Sequence, residues 1–365
     1  NGTMTVEAGC ILGDLQNSAR EADLLLSLSC PARDECQIGG NISTNLGGTN
    51  VLRYGNTRDV VLGLEVVLPS GKVWDGLRGL RKDNAGYDLK HLYVGAEGTL
   101  GIITAATVRL YPLPKIEQTA MIAVDSIAGL MDIFSRVRGR FAENLVGFEI
   151  ISRNAIDVVL QYDEEAEDPF TTPHLWYGLI QLNSTDSQLN LNSPLKELLD
   201  LTSVPFTVAQ DKRASDKLWN LRDQISAAQK VKGASIKHDV SVPLNRLANF
   251  IEEGTRLVEK EIPGVIVCSF GHAGDGNVHF NLTQPAEMDA KEFLGLWSGV
   301  NRIVHDLVDS LGGSVAAEHG VGQLKVVEMS RYKSAVELEL MRQIKKTLDP
   351  KNICNPGKVI DLNES

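Results

Sequence analysis

The alternation of polar and apolar positions is clearest between residues 265 and 282. The run "VIVCSF" is apolar and rich in β-branched residues, "GHAGDG" punctuates it, and "NVHFNL" alternates. This pattern predicts a β-hairpin, because side chains of a strand point to its two faces in turn. In the second strand Val278, Phe280 and Leu282 share one face, while Asn277, His279 and Asn281 share the other. A file of Asn, His and Asn does not suit an apolar core and predicts a polar cavity on that side. Helical spacing of apolar residues predicts helices over 127–141, 194–201, 214–230, 244–260, 290–311 and 335–347, with further strands over 175–182 and 236–242. The stretch before residue 113 reads differently. It is dense in glycine and in short runs such as "VVLGLEVVLPSGKVW" and "GIITAATVRLYPLP", with a hairpin turn at "PSGK".

These patterns give an α+β protein in three parts. Residues 1–113 form a strand-dominated domain that ends at "YPLP", where two prolines stop regular structure. Residues 114–330 alternate helices with strands and form a second domain. Residues 331–365 form a C-terminal helical segment whose "LDPKNICNPGKVI" ends regular structure. No internal repeat or low-complexity tract interrupts this order.

Composition narrows the chemistry. The 365 residues, 43% hydrophobic and 23% charged, suffice for two or three well-filled domains. A formal net charge of −11 argues against a nucleic-acid partner, which demands clustered Lys and Arg. No apolar run approaches bilayer length, so the chain reads as soluble, with the cytoplasm as default and a mitochondrial matrix origin open. The chain starts without Met and is read as truncated. Five cysteines without regular spacing fit reduced, buried residues better than a disulfide framework.

Neither GxGxxG nor GxxxxGK[ST] is present, which removes the Rossmann and P-loop solutions to phosphate binding. In their place stand "CQIGGNISTNLGGTN" and "GAEGTLGIIT". The first has two Gly-Gly pairs around Ser43, Thr44 and Asn45, where backbone can approach a ligand and hydroxyl and amide groups can bond it. The other reading is a pair of tight turns between strands.

Five ordered stretches, "QIGGNISTNLGGTNVLRYGNTRDVVLGLEVVLPSGKV", "RKDNAGYDLKHLYVGAEGTLGIIT", "GHAGDGNVHFNL", "AAEHGVG" and "NPGK", resemble the flavin-dependent D-2-hydroxyacid dehydrogenases of the vanillyl-alcohol oxidase type. The resemblance runs nearly end to end. It implies a two-lobed FAD-binding domain, a ferredoxin-like antiparallel sheet domain for substrate, and a C-terminal segment that returns to the flavin. Residues 1–113 then correspond to the second FAD lobe, and the first lobe, with its pyrophosphate-binding loop, is expected to be missing. Positions carried over for FAD are Ile38, Gly39, Gly40, Ser43, Thr44, Asn45, Gly48, Glu97, Gly98, Ile103 and Asn355.

His272 and His279 flank the hairpin turn, and "EHG" supplies Glu318 and His319. Two His and one carboxylate leave an open position on a metal, as catalytic sites do. On spacing alone, ordinary satisfied histidines are the commoner reading. The resemblance implies a divalent metal, Zn or Mn, on His272, His279 and Glu318. That metal would stabilise the alkoxide of a 2-hydroxy acid while hydride leaves C2 for flavin N5. His319 is the candidate general base, since imidazole titrates near neutral pH, with a structural hydrogen bond to backbone as its other reading, and Asn281 is a candidate substrate contact. Arg222 and Ser226 lie four apart on a predicted helix, and Lys237, Asp239 and Ser241 on one strand face. By composition Arg222 and Lys237 are solvated charges or ordinary ion pairs. By resemblance Arg222, Ser226 and Lys237 hold the distal carboxylate of a dicarboxylic substrate, which favours 2-hydroxyglutarate over lactate. His238 stands where the family commonly has tyrosine.

The expected activity is oxidation of a D-2-hydroxy acid to a 2-oxo acid, with reduced flavin re-oxidised by an external acceptor such as a quinone, a cytochrome or an electron-transfer flavoprotein. Oxidation of D-lactate, a direct oxidase releasing hydrogen peroxide, and a non-catalytic metal- or ligand-binding homologue stand as alternatives. A homodimer is left open.

Overall fold

The computed structural model describes residues 1–362, which divide by contact into two units. The first contains Asn1–Leu113 together with the chain from Glu318 onward, and the second is Pro114–Ala317. The sequence reading placed the return to the first unit near residue 330; the chain crosses at Glu318.

In the first unit, strands β1 (Thr3–Glu7), β3 (Val61–Val67), β4 (Val73–Gly76) and β5 (Ile102–Arg109) form an antiparallel sheet in the order β1-β5-β3-β4. A second, two-residue pairing joins β2 (Leu24–Leu25) to β6 (Tyr111–Pro112). In β3 a register shift after Val61 lets Val61, Leu64 and Val66 all be buried, in one core with Leu12 of the helix Leu12–Glu21 and Ile38 and Ile42 of the helix Ile38–Ser43. The C-terminal helix Ala335–Leu348 opens on a capping box of Ser334 and Glu337. Lys345, buried in its last turn, donates to Thr99 O (2.7 Å), Cys354 O (2.9 Å) and Asp349 Oδ2 (2.5 Å), which binds the segment to the strand-bearing part of the unit.

The second unit is an eight-stranded antiparallel sheet. It contains β7 (Ile116–Val124), β8 (Leu145–Ser152), β9 (Trp176–Ser184), β10 (Phe206–Val208), β11 (Ser235–Ile236), β12 (Asp239–Ser241), β13 (Ile266–His272) and β14 (Asn277–Thr283). Their order is β10-β7-β9-β8-β13-β14-β11, with β12 also paired to β14. One face packs on Arg153–Tyr162, Lys212–Asp223 and Ile225–Lys232, through Ile156, Leu221, Ile225, Cys268 and Phe270. The other meets Ile127–Phe141, where Phe134 lies 4.9 Å from Phe148, and Leu247–Glu261, where Phe250 lies 5.3 Å from Phe280.

The predicted hairpin is β13–β14. Strands β7, β8 and β10 and the helix Arg153–Tyr162 have no counterpart among the predicted elements; for β7 and β8 the reason is that a strand buried on both faces does not alternate, and all eight residues of β8 are buried. Three predicted helices are interrupted. The 214–230 segment breaks at Gln224, whose amide is drawn to Asp163 Oδ2 at 2.8 Å. The 290–311 segment breaks at Leu296, and 244–260 starts as a short 3-10 turn after Pro243. All five cysteines are free; Cys268 and Cys354 are buried, whereas Cys10, Cys30 and Cys36 are only half-buried, short of the full burial expected.

Candidate active site

Strand register builds the site in the second unit. His272 of β13 lies opposite Glu149 of β8, Phe270 opposite His279 of β14, and His279 opposite Asp239 of β12. Cross-strand partners share a face, so Glu149, His272, His279, Asn277, Asn281 and Asp239 all point to the side covered by Lys212–Asp223 and Ile225–Lys232. The polar file predicted from alternation is therefore real, and it is buried.

Buried polar groups require partners, and here they partner one another. Glu149, wholly buried, accepts from Arg222 Nε on one oxygen and from His272 Nδ1 on the other, both at 2.8 Å. Burial pushes the Glu149 carboxyl up, but its interactions with His272 and Arg222 outweigh it and hold the group below the ordinary carboxylate range. The His272 and His279 rings stand edge to face, 5.7 Å apart. Arg222 lies over the Phe270 ring at 4.9 Å. Asn277 Nδ2 donates to Asp239 Oδ1 at 2.9 Å, His279 Nδ1 stands 3.7 Å from the same oxygen, and Asn281 Nδ2 donates to Gln229 Oε1 at 2.8 Å.

Ser226 and Lys237 are placed differently from Arg222. The helix break at Gln224 lies between Arg222 and Ser226, and Ser226 is exposed. Lys237 lies at the surface between β11 and β12; desolvation of its ammonium and the Lys230 charge draw its pKa down. His238 lies on the opposite face, where Nδ1 meets Phe280 O and Nε2 meets Asn301 Oδ1, each at 2.9 Å. It binds the sheet to the helix Trp297–Ser310.

Residues after Gly313 run beside β12: Ser241 and Ser314 exchange backbone bonds, and Ala317 N donates to Asp239 O at 3.2 Å. Glu318 and His319 follow directly and belong to the first unit. There the Glu318 carboxylate covers Gly47, where a Cβ would meet Oε2 at 2.7 Å. His319 is exposed, with Nε2 3.8 Å from Glu318 Oε1.

The first unit brings the glycine-rich stretches together. Gly95 N donates to Ile42 O (3.0 Å) and Glu97 N to Ser43 O (2.8 Å), while Asn355 Nδ2 reaches Glu97 O (2.6 Å). Ile38 and Gly39 are buried, Gly40 and Thr44 exposed; Ser43 Oγ donates to Gly39 O at 2.7 Å. Gly98 adjoins Glu97, and Ile103 is buried in β5. Asn45, Glu97 and Asn355 hold left-handed φ values of 53°, 51° and 41°, and Gly48 one of 107°. Such conformations in non-glycine residues cluster at ligand sites. The Glu97 carboxylate accepts from Val321 N (2.7 Å) and Gly322 N (2.8 Å). Gly320, at φ 78°, has no room for a side chain, since a Cβ would meet Glu97 Oε1 at 2.5 Å.

The residues fit a flavin, and they fit a cation in part: Asp239 and His279 offer ligand atoms within 4.8 Å of each other, and His272 stands outside that group. For a flavin, the buried Asn41 Oδ1 within the glycine-rich stretch has no protein partner among the described residues. For a divalent cation, imidazoles backed by a carboxylate are the usual donor arrangement, and the buried Asn277 Oδ1 beside them is likewise unmatched.

Sequence reasoning missed Glu149, Asp239 and Gln229 as members of this site. Glu149 carried a signal: it is the single charge in the apolar run "LVGFEIIS". Asp239 was placed on the correct strand face without a role, and Gln229 carried no signal within its helix.

The family described as FAD linked oxidases, C-terminal domain, matches residues 113–359, and an FAD binding domain matches residues 1–76. A mitochondrial D-2-hydroxyglutarate dehydrogenase of Danio rerio is 36% identical over 100% of this chain and 67% of its own length. A D-2-hydroxyglutarate dehydrogenase of Xanthomonas citri is 35% identical over 100% of this chain and 76% of its own. A D-2-hydroxyglutarate–pyruvate transhydrogenase of Saccharomyces cerevisiae is 32% identical over 99% and 74%. The chain thus spans between about two thirds and three quarters of these relatives. Among solved structures, p-cresol methylhydroxylase superposes with a TM-score of 0.76 at 19% identity, over 100% of this chain and 77% of that one. Alkyldihydroxyacetonephosphate synthase gives 0.69 at 16%, over 97% and 64%. These two share the fold. On the matched domains and the full-length identity to curated relatives, the chain belongs to the FAD-linked oxidases, a family of FAD-dependent oxidoreductases.

Proposed function

We propose that this chain carries the oxidation of a D-2-hydroxy acid, with D-2-hydroxyglutarate favoured, to the corresponding 2-oxo acid. The observation that supports it is the buried sheet face on which His272 and His279 stand beside Arg222. The printed names of the curated relatives point to the same substrate.

Ile38, Gly39, Gly40, Ser43, Thr44, Asn45, Gly48, Gly98, Ile103 and Asn355 would hold the flavin, with Glu97 joining the two stretches. His272, His279 and Glu318 would hold a divalent cation, Zn or Mn. When bound, FAD supplies at N5 the acceptor for the hydride that leaves C2, and the cation supplies the Lewis acidity that makes a 2-hydroxyl a better acid. His319 takes the hydroxyl proton on an imidazole nitrogen as the C2 carbonyl forms. Arg222 binds the distal carboxylate and Asn281 orients the reacting end. Arg222 is already held through Nε, which leaves its two Nη groups for a carboxylate. An external electron acceptor completes the cycle.

The test is the visible spectrum of the flavin-loaded protein under anaerobic conditions. D-2-hydroxyglutarate should bleach the oxidised-flavin band, D-lactate should do so more slowly, and a chelator or His319→Ala should prevent it. Bleaching by neither acid would sink the assignment and leave a binding protein. Hydrogen peroxide formed in air would identify an oxidase.

A further inference from the structure

We propose that Glu149 is a positioning residue that fixes His272 for cation binding and at the same time ties His272 to Arg222. This rests on the reading that His272 is a cation ligand. Glu149 is 0% exposed, and both its oxygens are committed, Oε1 to His272 Nδ1 and Oε2 to Arg222 Nε, each at 2.8 Å. An ionised carboxylate only accepts hydrogen bonds, so Nδ1 must carry a proton. In the neutral ring the lone pair, the atom site a cation would take, is then on Nε2. A carboxylate on the far nitrogen is how ligating imidazoles are fixed in tautomer and orientation.

The contact is written into the strand register. His272 lies opposite Glu149 across β13 and β8, and a slip of one residue would send Glu149 to the Phe148 face. A wholly buried carboxylate in an otherwise apolar strand is costly unless its partners need it. Here the partners are the proposed cation ligand on one side and the proposed carboxylate-binding guanidinium on the other. Glu149 thus sets the spacing between the two ends of the substrate site without touching substrate.

The experiment is titration calorimetry of the full chain with Zn2+ and with Mn2+, alongside 15N-histidine spectra of the metal-free protein that report the His272 tautomer. In Glu149→Gln the amide can accept from only one of the two donors and turns an NH2 toward the other. The expected result is an affinity roughly 10- to 100-fold weaker, with the His272 Nδ1–H tautomer no longer dominant. If that variant does not fold, the pair Glu149→Gln with Arg222→Gln, which also removes the unmatched guanidinium, is measured in its place. Affinity within threefold of the unaltered protein, with the tautomer unchanged, overturns the positioning role alone. An unaltered protein that binds neither cation overturns the cation reading and this role with it.

Discussion

Glu97 offers a test of how the His319 loop is held. Its carboxylate accepts from the amides of Val321 and Gly322 at 2.7 and 2.8 Å, two and three residues beyond His319. Glu97→Gln preserves size and backbone, so the left-handed φ of 51° costs both proteins the same. The amide oxygen can accept from one N–H only, and its NH2 confronts the other. Hydrogen bonds to a charged group contribute about 1.5–3 kcal/mol each and a neutral one about 1 kcal/mol. Losing two charged bonds for one neutral bond therefore costs about 2–5 kcal/mol, and because Glu97 is only half-buried the lower end applies. About 2 kcal/mol corresponds to local opening roughly 30-fold more frequent. Hydrogen exchange should show that acceleration at Val321 and Gly322. The Glu97 amide, which bonds Ser43 O, should not change and serves as control. With flavin and substrate, kcat should fall more than KM rises, since a loosened base loses the transition state rather than substrate binding. Exchange within threefold of the unaltered protein would refute the loop-holding role.

Two further outcomes follow from buried groups. Lys345→Met leaves the Asp349 carboxylate without its cation and should cost about 3–5 kcal/mol in urea unfolding at pH 7. Burial raises the Asp349 pKa, but the Lys345 bond and the amides of Cys354 and Ile353 bring it below its ordinary value. Its contribution is therefore present above the unfolded carboxylate pKa of about 4 and lost as pH falls through the lower native value, a dependence that Lys345→Met should flatten. Burial raises the Cys268 thiol to about 11, so at pH 8 iodoacetamide should label it on the order of 100-fold more slowly than an ordinary thiol; labelling of the native protein at the rate of a free thiol would contradict this.

Much of this was legible in local pattern. The β13–β14 hairpin and its division into polar and apolar faces follow from spacing although both strands are buried, because the polar side chains lie on one face only; the helix Ile127–Phe141 follows because it has one face on the core and one away from it. Strand β8 was not legible, since an apolar strand buried on both faces gives no period, and the helix expected over 214–230 is interrupted only at Gln224, which keeps helical backbone angles. His238 illustrates the limit at the site. It is adjacent to Lys237 in sequence, yet period two puts it on the helix-packed face, where Asn301 holds it.

The sequence by itself determined which residue types the site would contain: two imidazoles around a glycine-rich turn, a Glu-His pair, and glycine-rich stretches suited to a flavin. These are properties of composition and local geometry. The partners were decided only by tertiary structure. That Glu149 joins His272 to Arg222, and that Glu97 holds the loop after His319, depends on segments 73 to 225 residues apart. No local pattern encodes such pairings, because strand register and long-range packing are set by burial of the whole sheet.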